Sequence, residues 1–158
     1  MRYQDYAATS TKTAMEEAFK YAKKVPADKL EWKPLENGQS VIDMCRELAQ
    51  CSDWAHMLVS GLPMPEFTPE AAAAMKAETS QWTTVEQCEE IATEKMAKLF
   101  ELFDTVSDER LKETRWLPFS GGRDFTIMEI MEYPRWNATY HLGQVGYIQT
   151  LYGDREMY

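Results

Sequence analysis

Between Val85 and Phe103 an apolar residue returns every three or four positions: Val85, Cys88, Ile91, Ala92, Met96, Leu99, Phe100 and Phe103. That 3.6-residue period fits one buried face of a long helix and no strand. Thr84-x-x-Gln87 reads as a capping box at its start. The same period recurs in three other segments. Tyr3 to Lys24 carries a weaker stripe of Ala7, Ala14, Ala18, Tyr21 and Ala22. Val41 to about Ser60 carries Met44, Leu48, Cys51, Ala55 and Leu58, with Ser40 as N-cap and Gly61-Leu62-Pro63 as the stop. Ile127 to Tyr152 carries Ile127, Ile130, Met131, Asn137, His141, Val145, Ile148 and Tyr152. Asp124 or Thr126 caps this last segment, and Pro134 inside it predicts a kink or two abutting helices.

No convincing period-2 strand and no repeat accompanies these helices, so the predicted class is all-α, most economically a four-helix bundle. Residues 1–158 suffice for one domain with a sizeable core. Glu66 to Gln81 is ambiguous: Ala71 to Ala74 suits a short helix, and Pro65 and Pro69 suggest a loop before it. Leu111 to Ser120 suits an extended stretch, and Gly121-Gly122 a turn. Most of the 10 methionines, together with Trp54, Trp82, Trp116 and Trp136, are assigned to the core or to a subunit interface.

Charge and cysteine content exclude several functions. Seventeen Lys and Arg face 26 Asp and Glu, giving a net charge of -9. Such a surface repels phosphate, so neither nucleic acid nor an anionic membrane is an expected partner. No apolar run is long enough to span a bilayer. Met1 to Lys20 is charged throughout and has no apolar signal core, so the expected address is cytoplasmic. Cys45, Cys51 and Cys88 form no Cys-x-x-Cys pair and no disulfide framework.

The chain has two histidines, His56 and His141, and no nucleophile elbow, phosphate loop, dinucleotide fingerprint or His-Glu-x-x-His string. The polar residues on apolar faces therefore carry the chemistry. Asn137 and His141 are four apart on one helix face. Facing inward, they either hold a metal between an amide oxygen and a ring nitrogen or form a hydrogen-bonded pair. Glu47 borders the Met44–Cys51 seam, where a carboxylate is costly unless paired or metal-bound. His56 lies nine residues on and points away from Glu47.

The string Trp136-Asn137-Ala138-Thr139-Tyr140-His141-Leu142-Gly143-Gln144, running on to Asp154, resembles the last helix of the DinB-like family. His-x-Gly-Gln is that family's most recognisable string. The helix order, the Trp32-x-Pro34 loop and Glu47-Leu48-Ala49 also match. The resemblance implies an up-down-down-up bundle, commonly a homodimer, with a divalent metal usually held by three histidines. It also implies thiol-dependent S-transferase or related chemistry in some members, using low-molecular-weight thiols on small electrophiles. Here Glu47 and Asn137 stand at two of the three histidine positions, and His141 keeps the third. A carboxylate, an amide and one imidazole make a harder site than three imidazoles, which moves preference from Zn toward Ni, Mn or Mg. The opposing expectation is a non-catalytic, stress-associated dimer in which the three residues form a structural network.

Overall fold

The computed structural model describes residues 1–66 and 68–158. Four long helices make the frame: α1 (Tyr3–Ala22), α2 (Val41–Ser60), α4 (Val85–Thr105) and α6 (Tyr133–Leu151). A shorter α3 (Pro69–Thr79) follows α2. A hairpin of β1 (Thr114–Leu117) and β2 (Arg123–Thr126) follows α4, and α5 (Ile127–Met131) leads into α6.

Cross-helix bonds fix the directions. Arg2, before α1, binds Asp104 near the end of α4 at 2.8 Å, and Lys23, after α1, binds Glu89 near its start at 2.8 Å. These two helices are antiparallel. Arg46 Nε donates to the carbonyl of Trp82 just before α4 (2.9 Å), and Lys95 meets Asp53 at 2.6 Å, so α2 and α4 are parallel. Tyr3 donates to Glu132 (3.0 Å) and Gln149 donates to the carbonyl of Tyr21 (3.3 Å), so α1 and α6 are parallel. The topology is up-down-down-up.

Local chemistry sets the helix ends. Ser40 and Asp43 exchange side-chain-to-backbone bonds, both 3.3 Å, at the start of α2. Gly61 ends that helix in the left-handed region at φ 79°, where a Cβ is disfavoured. At α4 the expected box is only half formed. Thr84 accepts from Gln87 N–H (3.2 Å), but Gln87 accepts from Thr83 rather than from Thr84. Thr126, not Asp124, caps α5, and with Glu129 it closes a full box. Pro134 starts α6 instead of bending a continuous helix, because a first-turn position needs no N–H.

Three sequence expectations are corrected. Pro69 belongs to α3 as its first residue, capped by Thr68, rather than to a loop; residue 67 of that stretch lies outside the described residues. The chain is not free of strands. The hairpin pairs Thr114 with Thr126 and Leu117 with Arg123, and four-residue strands are too short to show an alternation. Of the tryptophans assigned to the core or an interface, Trp82 is buried, while Trp116 and Trp136 lie outside the core, 61% and 57% exposed. Only Met15, Met44, Met96 and Met131 of the methionines are buried; Met75 sits on the exposed α3, and Met1 and Met157 near the chain ends.

Two apolar clusters fill the bundle. One gathers Phe19, Ile42, Leu48, Trp82 and Val145; the other gathers Leu58, Leu99, Phe103, Leu117 and Met131 beneath the hairpin. The hairpin is clamped to the end of α2. Arg110 and Arg115 donate to the carbonyls of Val59 and Leu58 in the last turn, where a helix runs out of its own N–H donors; Leu58 also accepts from Gly61 N–H.

Candidate functional site

The antiparallel contact of α2 with α6 brings Glu47, Asn137 and His141 together. Asn137 and His141 are buried on the inner face of α6. Glu47 reaches them across the bundle while its side chain keeps 41% of its exposure. Asn137 Nδ2 donates to Glu47 Oε1 at 3.1 Å. Gln39, in the loop before α2, donates to Oε2 at 3.0 Å. His141 Nε2 lies 3.2 Å from Oε1 without hydrogen-bond alignment.

The other ring nitrogen sets the tautomer. His141 Nδ1 lies 2.7 Å from Gln144 Oε1, an oxygen that can only accept. The proton then sits on Nδ1, and the Nε2 lone pair faces the Glu47 carboxylate. Two acceptors 3.2 Å apart repel unless a proton or a cation lies between them. Asn137 Oδ1 is likewise buried with no partner. Each such orphan costs about 1–3 kcal/mol. The trio therefore holds two buried acceptors without partners, His141 Nε2 and Asn137 Oδ1, beside the Glu47 carboxylate, to which the Asn137 amide turns its NH2. When a proton sits on His141 Nε2 between the two groups, the Glu47 carboxyl is held at about 2, well below the ordinary carboxylate range, first by His141, against the opposing push of partial burial, with Gln39 and Asn137 adding to the effect.

Two clefts meet at Glu47. The larger, about 690 Å³, runs between α2, the hairpin and α5–α6, with Leu58, Leu117 and Ile130 among its walls and Phe119 and Trp136 partly exposed. The smaller, about 350 Å³, is lined by Met75 and Thr79 of α3 together with Arg46 and Gln50. Segment 66–81 thus borders the site through α3. Glu47, Trp54 and Tyr133 line both clefts. A volume near 700 Å³ suits a small molecule. Burial pushes the Tyr133 hydroxyl above its usual range, so it remains a protonated donor. Cys51 is sealed on the inner face of α2, its thiol also pushed up by burial, and it offers no thiolate.

The structure brings all three predicted site residues together. His56 stands apart, its Nδ1 3.4 Å from Ser60 Oγ. Two contributors have no role assigned from sequence: Gln144, part of the His-x-Gly-Gln string, and Gln39. Gln144 is three residues beyond His141, a spacing that marks same-face contact. Gln39 comes from a loop, where no spacing rule applies. Among the described residues, no group of three or more His, Cys, Asp or Glu side chains is placed to hold a metal, so any site here depends on the Asn137 amide oxygen.

No family model matches the sequence, and no curated relative does. Solved structures do match in shape. YfiT from Bacillus subtilis, described as a probable metal-dependent hydrolase with an unusual four-helix bundle topology, superposes with a TM-score of 0.77 at 12% identity, over 95% of this chain and 87% of that one. The colibactin self-resistance protein ClbS, solved with a dsDNA, gives 0.68 at 12% identity, over 93% and 95%. A conserved protein from Enterococcus faecalis gives 0.62 at 13% identity, over 96% and 97%. At these identities the likeness establishes the fold, the bundle implied by the DinB-like resemblance. Among the described residues no helix is long and apolar enough to cross a membrane.

Proposed function

We propose that the chain is a metal-dependent enzyme in which Glu47, Asn137 and His141 hold one divalent cation and the 690 Å³ cleft receives a small-molecule substrate. The observation that carries this reading is the buried, unpartnered His141 Nε2 lying 3.2 Å from the Glu47 carboxylate, with a second unpartnered acceptor, Asn137 Oδ1, on the neighbouring turn of α6. When bound, such a cation supplies Lewis acidity, which hydrolysis or thiol S-transfer needs to obtain a nucleophile near neutral pH. The chain's own residues do the positioning. Gln144 keeps the His141 proton on Nδ1. Gln39 and Asn137 fix the Glu47 carboxylate. Tyr133 offers a donor at the cleft wall, and Trp54, Leu58 and Ile130 give that wall apolar surface.

The donor set favours Ni, Mn or Mg over Zn. A low-molecular-weight thiol as co-substrate, a homodimeric state and a cytoplasmic address complete the reading. The dsDNA partner of ClbS is not carried over, because a net charge of -9 opposes a phosphate backbone.

The test is elemental analysis of untagged protein, purified without chelator and repeated on His141→Ala. Near-stoichiometric metal that disappears in the variant is expected. No metal after incubation with Ni²⁺, Zn²⁺ and Mn²⁺ overturns the proposal. The trio is then a structural network with the proton, not a cation, between His141 and Glu47. The direct Asn137–Glu47 bond favours that second reading, and the protein becomes a non-catalytic, stress-associated dimer.

A further inference from the structure

The charged side chains on the walls of the 690 Å³ cleft are paired, with one exception. Arg123 is bonded to Glu129 at 3.0 Å, and its guanidinium lies 3.6 Å from the centre of the Phe125 ring. Glu132 is bonded to Arg135 and to the Tyr3 hydroxyl. Glu47 is the exception. Among the described residues no lysine or arginine is bonded to it, and its sequence neighbour Arg46 is held by Asp43 at 3.0 Å and by the carbonyl of Trp82 at 2.9 Å. Gln39 and Asn137 each give the Glu47 carboxylate one N–H, which leaves about two of its four acceptor positions open. The neighbouring groups lack donors, not acceptors. Asn137 is buried and lines the cleft, and its Oδ1 has no partner; His141 Nε2, also buried, has none. A ligand head at this end of the cleft must therefore bring N–H donors and positive charge. An anionic head meets like charge. The walls set the rest of the ligand. Trp54, Tyr133 and Trp136 stand with Glu47 around the cleft, and aromatic rings beside a carboxylate attract an organic cation through their quadrupoles.

We infer that the cleft binds a primary ammonium ion carrying an aromatic group, with the ammonium on the Glu47 carboxylate and the ring among Trp54, Tyr133 and Trp136. The inference shares the cleft and Glu47 with the reading above and does not need the metal. An ammonium and a divalent cation use the same carboxylate, so each excludes the other. Selectivity follows from charge. A neutral ligand of the same shape loses a charge-assisted hydrogen bond. An acid of the same shape adds a second negative charge beside Glu47 and is rejected. The net charge of -9 acts in the same direction, drawing cations toward the protein and keeping anions away. Binding makes and breaks no covalent bond, so a free amine of this class is a reversible competitor for the metal position.

The test is calorimetric titration of the full chain, at pH 8 in chelator, with three probes that share an indole ring and a two-carbon spacer: tryptamine, indole-3-ethanol and indole-3-propionate. Tryptamine should bind with a Kd below about 1 mM. Indole-3-ethanol should bind at least ~tenfold more weakly, and indole-3-propionate should not bind. Glu47→Gln keeps the side-chain shape and should weaken tryptamine at least ~tenfold, to the level of indole-3-ethanol. Glu90→Gln makes the same charge change at an exposed position of α4 and should leave tryptamine binding as in wild type. No tryptamine binding at about 5 mM, equal affinity for tryptamine and indole-3-ethanol, or full tryptamine affinity in a folded Glu47→Gln chain overturns the inference. If Glu47→Gln does not fold, the ranking of the three probes on wild type decides. Metal content and a Mn²⁺ titration without chelator separate this inference from the metal reading. A chain that holds no metal and still ranks the probes as stated keeps the inference and rejects the metal centre; one that holds Mn²⁺ and ignores tryptamine does the reverse. Where both bind, Mn²⁺ should raise the apparent Kd of tryptamine, and an unchanged value overturns the placement of the ammonium on Glu47.

Discussion

Replacing Glu47 by Gln removes the charge and keeps the shape. The structure sets the size of the effect. In the metal-free protein, with a proton on His141 Nε2 between the two groups, the Glu47 carboxyl lies at about 2 against an ordinary 4.5, and the difference corresponds to about 3 kcal/mol. The side chain is 41% exposed, so solvent screening reduces this to about 1–2 kcal/mol. The sign follows from the direction of the shift. A carboxyl depressed on folding contributes stability above its unfolded value and loses it as pH falls toward its folded value. The window therefore runs from about 4.5 down to about 2. Urea unfolding in chelator should place Glu47→Gln about 1–2 kcal/mol below wild type between pH 5 and 8. The gap should shrink by about 40% by pH 3.5 as the carboxyl of the unfolded wild-type chain takes up its proton while the folded one stays ionised. A gap that stays constant over this range, or grows on acidification, would refute the charge coupling on which the geometry of the site rests.

Three further outcomes follow from the same structure. Asn137→Asp removes the donor to Glu47 and sets a second carboxylate beside it, so without metal the variant should lose about 1–3 kcal/mol. Its melting temperature should then rise more on adding Mn²⁺ than that of wild type, because a ligand that binds only the folded state stabilises it; an equal rise would count against metal binding by the trio. The three cysteine thiols are buried and all pushed up, Cys88 to about 11, so a thiol reagent should label none in the native protein and three in urea. Gly122→Ala should cost about 1–3 kcal/mol, because the residue lies at φ 82° and its Cβ would fall 2.9 Å from Trp116 Cζ2; a chemical melt showing no loss would argue that the hairpin is not held as described.

Helices α2 and α4 were legible from sequence because their buried faces are apolar at nearly every turn. Helix α1 was less so, since Gln4 and Thr11 interrupt its buried face; Gln4 is held by a 2.7 Å bond to the carbonyl of Val106 that no periodicity predicts. The hairpin left little trace. Trp116 faces solvent, and Leu117 is the one fully buried side chain of its eight residues. In the site, Asn137 and His141 could be paired by helix spacing alone. Glu47 could not, because its place depends on the antiparallel register of α2 against α6, a tertiary fact. The family resemblance supplied that position, and the structure supplied Gln39 and Gln144.

The trio lies beside the first apolar cluster: Met44 and Leu48 flank Glu47 on α2, and Ala138 and Val145 flank His141 on α6. Polar side chains there interrupt what would otherwise be continuous apolar packing. Replacing a buried, paired polar group by apolar residues of similar volume is often neutral or stabilising, by about 1–4 kcal/mol. The variant Glu47→Met/Asn137→Leu/His141→Leu should therefore be at least as stable as wild type in chelator, with both orphaned acceptors removed. Its metal content should fall to zero. That combination would mean the chain keeps the trio at the expense of its own stability, which selection tolerates where a site has a task. The structural-network reading requires the opposite. If the three groups hold α2 to α6, their joint removal should lower the urea midpoint by more than the Glu47→Gln change alone, and such a loss would end the case for a metal centre built at the expense of the fold.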